Sequence, residues 1–135
     1  MTIERNILLI DDDKEMTEEV SEILSEEGYR VTVANDGLQA DALLFKNCYD
    51  LVLLDLKMPG MDGFTVFKRL KKRNCEAKVI IVTAKPLDGD LTDGVDGLTA
   101  EDYELLRKVN GIIIKPYNIE SMLTMVKEII EKVAT

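Results

Sequence analysis

Four apolar segments of this sequence are each followed directly by side chains that can bind a cation or a phosphoryl group. The segments are residues 6–10, 51–54, 79–82 and 112–114, and they are followed in turn by Asp11-Asp12-Asp13, Asp55, Thr83 and Lys115. In an open α/β sheet, ligands bind beyond the carboxyl ends of the strands. The pattern therefore predicts one site that combines carboxylates, a hydroxyl and an ammonium group.

The chemistry of this set is that of phosphoryl transfer. Crowded carboxylates stay ionised only if a cation lies among them, and oxygen ligands without histidine or thiolate favour Mg²⁺. The Thr83 hydroxyl and the Lys115 ammonium can each contact a phosphoryl oxygen. A carboxylate beside Mg²⁺ can itself be the nucleophile that carries a phosphoryl group. We interpret Asp55 as that acceptor, because it ends a central strand if the strand order is 2-1-3-4-5. Asp13 is interpreted as a residue at a helix N-terminus.

The elements that must position these side chains alternate between strand and helix patterns. The four apolar runs lack alternation, as is typical of strands covered on both faces, whereas residues 29–34 alternate and predict an edge strand. Helical spacing predicts helices that end near Gly28 and that cover residues 38–46, 64–72, 99–109 and 119–133. Five such β-α units predict a doubly wound α/β fold of three layers, with a five-stranded parallel sheet in the flavodoxin-like order 2-1-3-4-5.

Length and composition limit the classes of protein. A chain of 135 residues predicts a single domain over residues 1–135, with a core over 6–133. The net charge of −9 disfavours direct binding to nucleic acid. No apolar run is long enough to span a membrane, and the first residues lack a signal-peptide pattern, so we expect a cytoplasmic protein without membrane insertion.

The histidine and cysteine contents exclude further chemistries. The chain has no histidine, which excludes Ser-His-Asp and Cys-His triads, zinc-protease helices and a phosphohistidine on this chain. Its two cysteines, Cys48 and Cys75, do not have the spacing of metal ligands. We expect both to be reduced, partly buried thiols.

Residues 6–117 resemble the receiver domain of two-component response regulators. The matching segments are ILLIDDD at 7–13, DLVLLDLKMPGMDG at 50–63, IVTA at 81–84 and KPY at 115–117. The resemblance implies that Asp55 is phosphorylated from a partner's phosphohistidine. It implies a metal site for Mg²⁺, with Mn²⁺ as an alternative, formed by Asp11, Asp12, Asp55 and the Lys57 carbonyl.

The resemblance also assigns roles to residues around the acceptor. Thr83, Ala84 and Lys115 are expected to contact the phosphoryl group, and the bond between Lys115 and Pro116 is expected to be cis. Ile112 occupies the position where the family usually has an aromatic switch residue. By the same resemblance, Lys57 and Lys85 flank the phosphoryl group and are expected to modulate its lifetime.

The expected partners follow from these roles. The donor is a sensor histidine kinase or a histidine phosphotransfer protein, and the recipient of the signal is a downstream protein target. No output domain follows the last helix in this sequence, so we expect a free-standing receiver unless the chain is cut from a longer one. We expect a monomer or a weak, phosphorylation-dependent dimer. Its only catalysis would be self-phosphorylation and slow self-dephosphorylation.

Three other functions are compatible with parts of the pattern. A haloacid-dehalogenase-type enzyme also uses a nucleophilic aspartate and Mg²⁺, but it needs a second aspartate where this chain has Lys57. A flavin-binding flavodoxin needs a phosphate loop, and Asp11-Asp12-Asp13 would repel the phosphate there. A receiver that serves only as a docking module is the third alternative, and the intact site argues against it.

Two surface features have open interpretations. Lys68, Arg69 and residues 71–73 form a basic cluster, which is either a solvated helix end that complements the dipole or a docking patch for an acidic partner. The segment 85–98 is an unusually long acidic loop. Its aspartates do not fit the EF-hand frame, so we interpret it as a flexible acidic loop and not as a calcium site.

Overall fold

Strands and helices alternate along the whole described part of the chain. The computed structural model describes residues 5–56, 63–73, 76–83 and 100–131. The strands are β1 (Asn6–Ile10), β2 (Arg30–Ala34), β3 (Leu51–Asp55), β4 (Lys78–Thr83) and β5 (Gly111–Ile114). The helices are α1 (Lys14–Glu26), α2 (Gly37–Lys46), α3 (Gly63–Lys71), α4 (Ala100–Arg107) and α5 (Ile119–Glu131).

The five strands form one parallel sheet in the order β2-β1-β3-β4-β5. This order confirms the predicted doubly wound topology. The strand order reverses beside β1, which pairs with β2 on one side and with β3 on the other. Ligand sites of this fold class lie at that reversal, beyond the carboxyl ends of the strands.

Each face of the sheet has its own hydrophobic core. On one face, β-strand side chains pack against α1 and α5, with Val20, Leu24 and Val126 among the buried helix residues. On the other face they pack mainly against α2 and α3, where Phe67 is fully buried. The apolar runs of β1, β3 and β4 are covered on both faces, which explains why these strands do not alternate in sequence. For the run in β5 the expectation of coverage on both faces is wrong, because β5 is an edge strand on which Ile112 and Ile114 are exposed.

Aspartates fix where the first two helices begin. Asp13 caps α1, since its side chain accepts a hydrogen bond from the Met16 backbone N–H, and Asp36 caps α2 in the same way. Gly28, at φ +98°, lies in the turn between α1 and β2, a conformation that other residues rarely adopt. The helix therefore ends where the sequence predicts.

The expectation for Cys48 is wrong. Cys48 is exposed and disulfide-bonded, not a partly buried thiol. Neither its sequence spacing nor the composition carries a signal for this bond, because disulfide formation depends on the distance between two cysteines in the fold. Cys75 lies outside the described residues.

Several further expectations also fall outside the described residues. These are the long acidic loop 85–98, Lys57, Ala84 and Lys85. Within the described ranges, none of the helices combines the length and the apolar composition needed to cross a membrane.

Candidate functional site

The predicted functional side chains meet at the carboxyl edge of the sheet. Asp55 and Thr83 are the last residues of β3 and β4, and Asp11 and Lys115 directly follow β1 and β5. The backbone ladder continues past the strand ends, since Asp11 N–H donates to Ala34 O at 3.1 Å and Lys115 N–H donates to Thr83 O at 2.8 Å. These hydrogen bonds thus fix the positions of the four residues relative to one another along the strand direction.

Three carboxylates form a cluster at this edge. Asp11, Asp12 and Asp55 each offer an oxygen, and these oxygens lie within 4.8 Å of one another. Asp11 is 1% exposed and Asp55 is 5% exposed, whereas Asp12 lies at the surface. Buried carboxylates at such separations repel one another unless a positive charge compensates them.

Lys115 supplies positive charge to the two buried carboxylates. Its Nζ lies 2.8 Å from Asp11 Oδ2 and 3.4 Å from Asp55 Oδ2. Burial alone would lower the pKa of Lys115, but the hydrogen bonds and negative charges of Asp11 and Asp55 outweigh it and raise the pKa above its usual value. Lys115 therefore remains a cation at neutral pH.

The described donors fit a hard divalent cation. The cluster offers carboxylate oxygens from two buried residues and one exposed residue, and Mg²⁺ prefers such ligands while it retains waters. Asp11, Asp12 and Asp55 would hold the ion, which would then neutralise charge on the carboxylates and on a phosphoryl group.

The site includes an amide that no sequence motif identifies. Asn35, directly after β2, donates from Nδ2 to Asp11 O at 3.0 Å and to Thr17 Oγ1 at 3.1 Å. Thr17 in turn donates to Lys14 O at 3.0 Å. Asn35 therefore ties the Asp11 backbone to the first turn of α1. Its position after a strand was the only signal in the sequence.

Gly63 is a second residue whose role emerges only from the fold. A Cβ atom at Gly63 would lie 2.0 Å from the Asp55 carbonyl oxygen and 2.6 Å from Leu56 Cα. The Gly63 N–H donates to Leu56 O at 3.0 Å. Only glycine lets α3 begin this close to the end of β3, and α3 in turn holds the acceptor strand in place.

Three further predicted positions, Thr83, Ile112 and Pro116, are among the described residues. Thr83 is 4% exposed at the end of β4. The bond between Lys115 and Pro116 is cis. Ile112 is 38% exposed on β5 and pairs with Ile81 of β4, so it lies at the sheet edge and outside the buried core.

A cavity of about 500 Å³ opens beside the cluster, between the start of α1 and the segment that leads into α5. Its lining is mostly apolar and comprises Met16, Glu19, Val20, Lys115, Pro116, Tyr117 and Ile119. Burial, followed by the negative charge of Asp11, raises the pKa of Tyr117. Lys115 belongs both to this cavity and to the carboxylate cluster.

Comparisons with known proteins place the chain in a family. The family model "Response regulator receiver domain" matches residues 7–127. The transcriptional regulatory protein CpxR of Klebsiella pneumoniae is 36% identical over 126 residues, which cover 93% of this chain and 49% of that protein. The chain spans about half the length of the curated relatives it matches, among them DltR and TctD.

Solved structures agree in fold. The receiver domain of Francisella response regulator 1452 is 30% identical, with a TM-score of 0.76 over 96% of this chain and 98% of that one. The response regulator TrrA of Thermotoga maritima, solved in complex with Mg(2+)-BeF, is 30% identical, with a TM-score of 0.74 over 93% and 98% of the two chains. The chain therefore belongs to the response regulator receiver domain family of two-component signalling.

Proposed function

We propose that Asp55 accepts a phosphoryl group from a phosphohistidine of a partner protein. The observation that carries this proposal is the Asp55 carboxylate, which is buried at the strand end, 3.4 Å from Lys115 Nζ and within the three-carboxylate cluster. An Asp55 oxygen attacks phosphorus, the O–P bond forms and the N–P bond of the donor breaks. The electron pair goes to the imidazole nitrogen, which takes a proton from water.

The other residues of the site stabilise the group that is transferred. The Lys115 ammonium and the Thr83 hydroxyl lie at the ends of neighbouring strands and can contact phosphoryl oxygens. Asp11 and Asp12 would hold Mg²⁺, or Mn²⁺ in its place. The ion, when bound, supplies Lewis-acid stabilisation of the charge on the phosphoryl oxygens.

The phosphohistidine must lie outside this sequence, because its 135 residues contain no histidine. A sensor histidine kinase or a histidine phosphotransfer protein fits this requirement. We propose that the phosphorylated domain then changes its contacts with a downstream protein or passes the phosphoryl group on, and that it catalyses only its own phosphorylation and slow dephosphorylation.

Intact-mass measurement tests the proposal. Incubation with acetyl phosphate and Mg²⁺ should add one phosphoryl group to the wild type and none to Asp55→Asn. Asp41→Asn is the matched control: Asp41 lies on α2, where it pairs with Arg69, and its loss should leave the adduct intact. A wild type that gives no adduct with any phosphodonor would favour the docking module.

A further inference from the structure

A second cavity lies at the opposite end of β4 from the carboxylate cluster. Its volume is about 390 Å³, and its lining comes from the ends of α3 and α4 and the start of β4: Leu70, Lys71, Arg73, Glu76, Ala77, Lys78, Lys108 and Asn110. Lys78 begins the strand that Thr83 ends. At roughly 3.3 Å per residue, the two sites are about 17 Å apart along β4.

Positive charge dominates the lining of this cavity. Its lining contains three lysines, one arginine and a single carboxylate, that of Glu76, although the whole chain carries a net charge of −9. The arginine, Arg73, also forms an ion pair with Asp41, which is not part of the lining. Within the described ranges, Lys71, Lys78 and Lys108 form no ion pair. Helix-dipole complementation accounts for Lys71 and Lys108 near helix ends. It does not account for Lys78, which lies on a strand.

The lysine charges act on one another across the cavity. The pKa of Lys71 is lowered, first by burial and then by the positive charges of Lys78 and Lys108. Three cations that repel one another around one concave surface form a site that an anion would stabilise.

Two residues of the lining, Arg73 and Asn110, carry N–H groups without an acceptor among the described residues. Arg73 Nη2 lies 3.5 Å from Asp41 Oδ1, but its Nε is buried and, among the residues that the structure describes, finds no acceptor. Such a donor is costly to leave unsatisfied. Asn110 Oδ1 accepts from the Val79 N–H at 2.9 Å, so the Asn110 Nδ2 group is the part of that amide that can donate to a ligand.

We propose that this cavity binds the diphosphate group of a small molecule. Its volume lies in the lower part of the range of small-ligand pockets, which favours a compact anion. Three ammonium groups without an ion pair among the described residues match an anion with several negative charges, and lysine binds phosphate as a point charge. The site is separate from Asp55 and does not depend on phosphorylation of that residue.

Calorimetric titration in metal-free buffer at low ionic strength tests the proposal, with inorganic pyrophosphate and ADP as the two probes. Lys78→Gln and Lys108→Gln should each weaken pyrophosphate binding about tenfold, equivalent to about 1.4 kcal/mol. Glu76→Gln should strengthen binding, because it removes the opposing carboxylate. Lys72→Gln is the matched control, because Lys72 is exposed, adjacent to Lys71 and not part of the lining. This variant should bind pyrophosphate with the affinity of the wild type.

The two probes distinguish the source of the diphosphate. Tighter binding of ADP than of pyrophosphate would identify a nucleotide, and equal or weaker binding would identify the free anion. The proposal is overturned if millimolar pyrophosphate does not bind, or if Lys78→Gln and Lys108→Gln bind it like the wild type. It is equally overturned if Lys72→Gln weakens pyrophosphate binding as much as Lys78→Gln and Lys108→Gln do. Binding would then result from the positive charge of the surface in general and not from this cavity.

Discussion

The Lys115 ammonium lies 2.8 Å from the carboxylate of Asp11, although these residues follow strands that are separated in the sheet by β3 and β4. The contact reaches across the carboxyl edge and passes Asp55 at 3.4 Å. One cation thus compensates a carboxylate of the expected metal site and the carboxylate of the proposed acceptor. Its removal should affect both stability and metal binding.

Lys115→Met should lower the free energy of unfolding by about 1 to 3 kcal/mol at neutral pH, because it leaves buried carboxylates without their cation. The pKa of Lys115 is raised in the folded protein, above the 10.5 of a free lysine. Its stabilising contribution is therefore complete below pH 10.5 and is lost as the pH rises through the folded-state pKa.

Urea unfolding from neutral pH to above pH 10.5 measures this contribution. The difference between wild type and Lys115→Met should shrink across that window, and a constant difference would contradict the argument. Lys127→Met is the control, since Lys127 forms an exposed pair with Glu27 at 3.3 Å that should contribute less than about 1 kcal/mol.

Millimolar Mg²⁺ should raise the melting temperature of the wild type. A ligand that binds only the folded state adds about 2.7 kcal/mol at a hundredfold excess over its Kd. The shift should be much smaller in Asp12→Ala, which removes the exposed member of the cluster, and unchanged in Glu22→Ala, which removes an exposed carboxylate of α1. Equal shifts in wild type and Asp12→Ala would refute the proposed metal ligands.

Gly63→Ala should be more destabilising than Gly28→Ala, although both replace a glycine by one methyl group. At Gly63 the methyl would meet backbone atoms of Asp55 and Leu56, an overlap that costs about 3 kcal/mol. At Gly28 nothing lies within 4 Å, and only the positive φ opposes alanine, at about 1 kcal/mol. Denaturant unfolding of both variants measures which of them loses more free energy of unfolding. Phosphorylation by acetyl phosphate should fall only in Gly63→Ala.

Phosphorylation should change hydrogen exchange most in residues 84–109. Ile112 is β-branched and stiff at χ1, and it lacks the ring that usually swings between exposed and buried states at this position. The signal should therefore pass through the segment before α4 and through α4 itself. Exchange mass spectrometry with and without phosphodonor measures this, and changes confined to residues 111–114 and α5 would show that Ile112 is the switch after all.

The phosphorylated protein should decay slowly. An ammonium group only donates hydrogen bonds, so Lys57 and Lys85 cannot orient or deprotonate a hydrolytic water as an amide or carboxylate can. Lys57→Asn and Lys85→Glu should speed the decay, followed by intact mass over time, and Lys46→Asn on α2 should not. Decay of the wild type within seconds, or no acceleration in either variant, would show that Lys57 and Lys85 do not protect the phosphoryl group from hydrolysis.

The strand ends were predictable because parallel strands present their carboxyl ends at one edge. Apolar runs therefore located Asp11, Asp55, Thr83 and Lys115 together. The roles of Gly63 and Asn35 were not predictable, since each rests on a distance between elements that no local pattern encodes.

The second cavity also depends on distances between elements that the sequence does not reveal. The basic residues near the end of α3 were visible in the sequence as a cluster with two interpretations. Lys78 and Lys108, which give that cluster a concave form, come from later parts of the chain, and only the packing of β4 and α4 brings them to Lys71. The disulfide at Cys48 was likewise invisible, because cysteine spacing alone does not report proximity in space.

The place of β1 between β2 and β3 determines the order in which the sheet can assemble during synthesis. Ile7 pairs with Val31 of β2, 24 residues later, and with Leu51 of β3, 44 residues later. Closing the longer loop costs about 0.5 kcal/mol more entropy than closing the shorter one, so the β1–β2 pair should form first on the ribosome. Until β3 emerges, β1 has an unpaired apolar edge, and a nascent chain that stalls before residue 51 exposes that edge to aggregation.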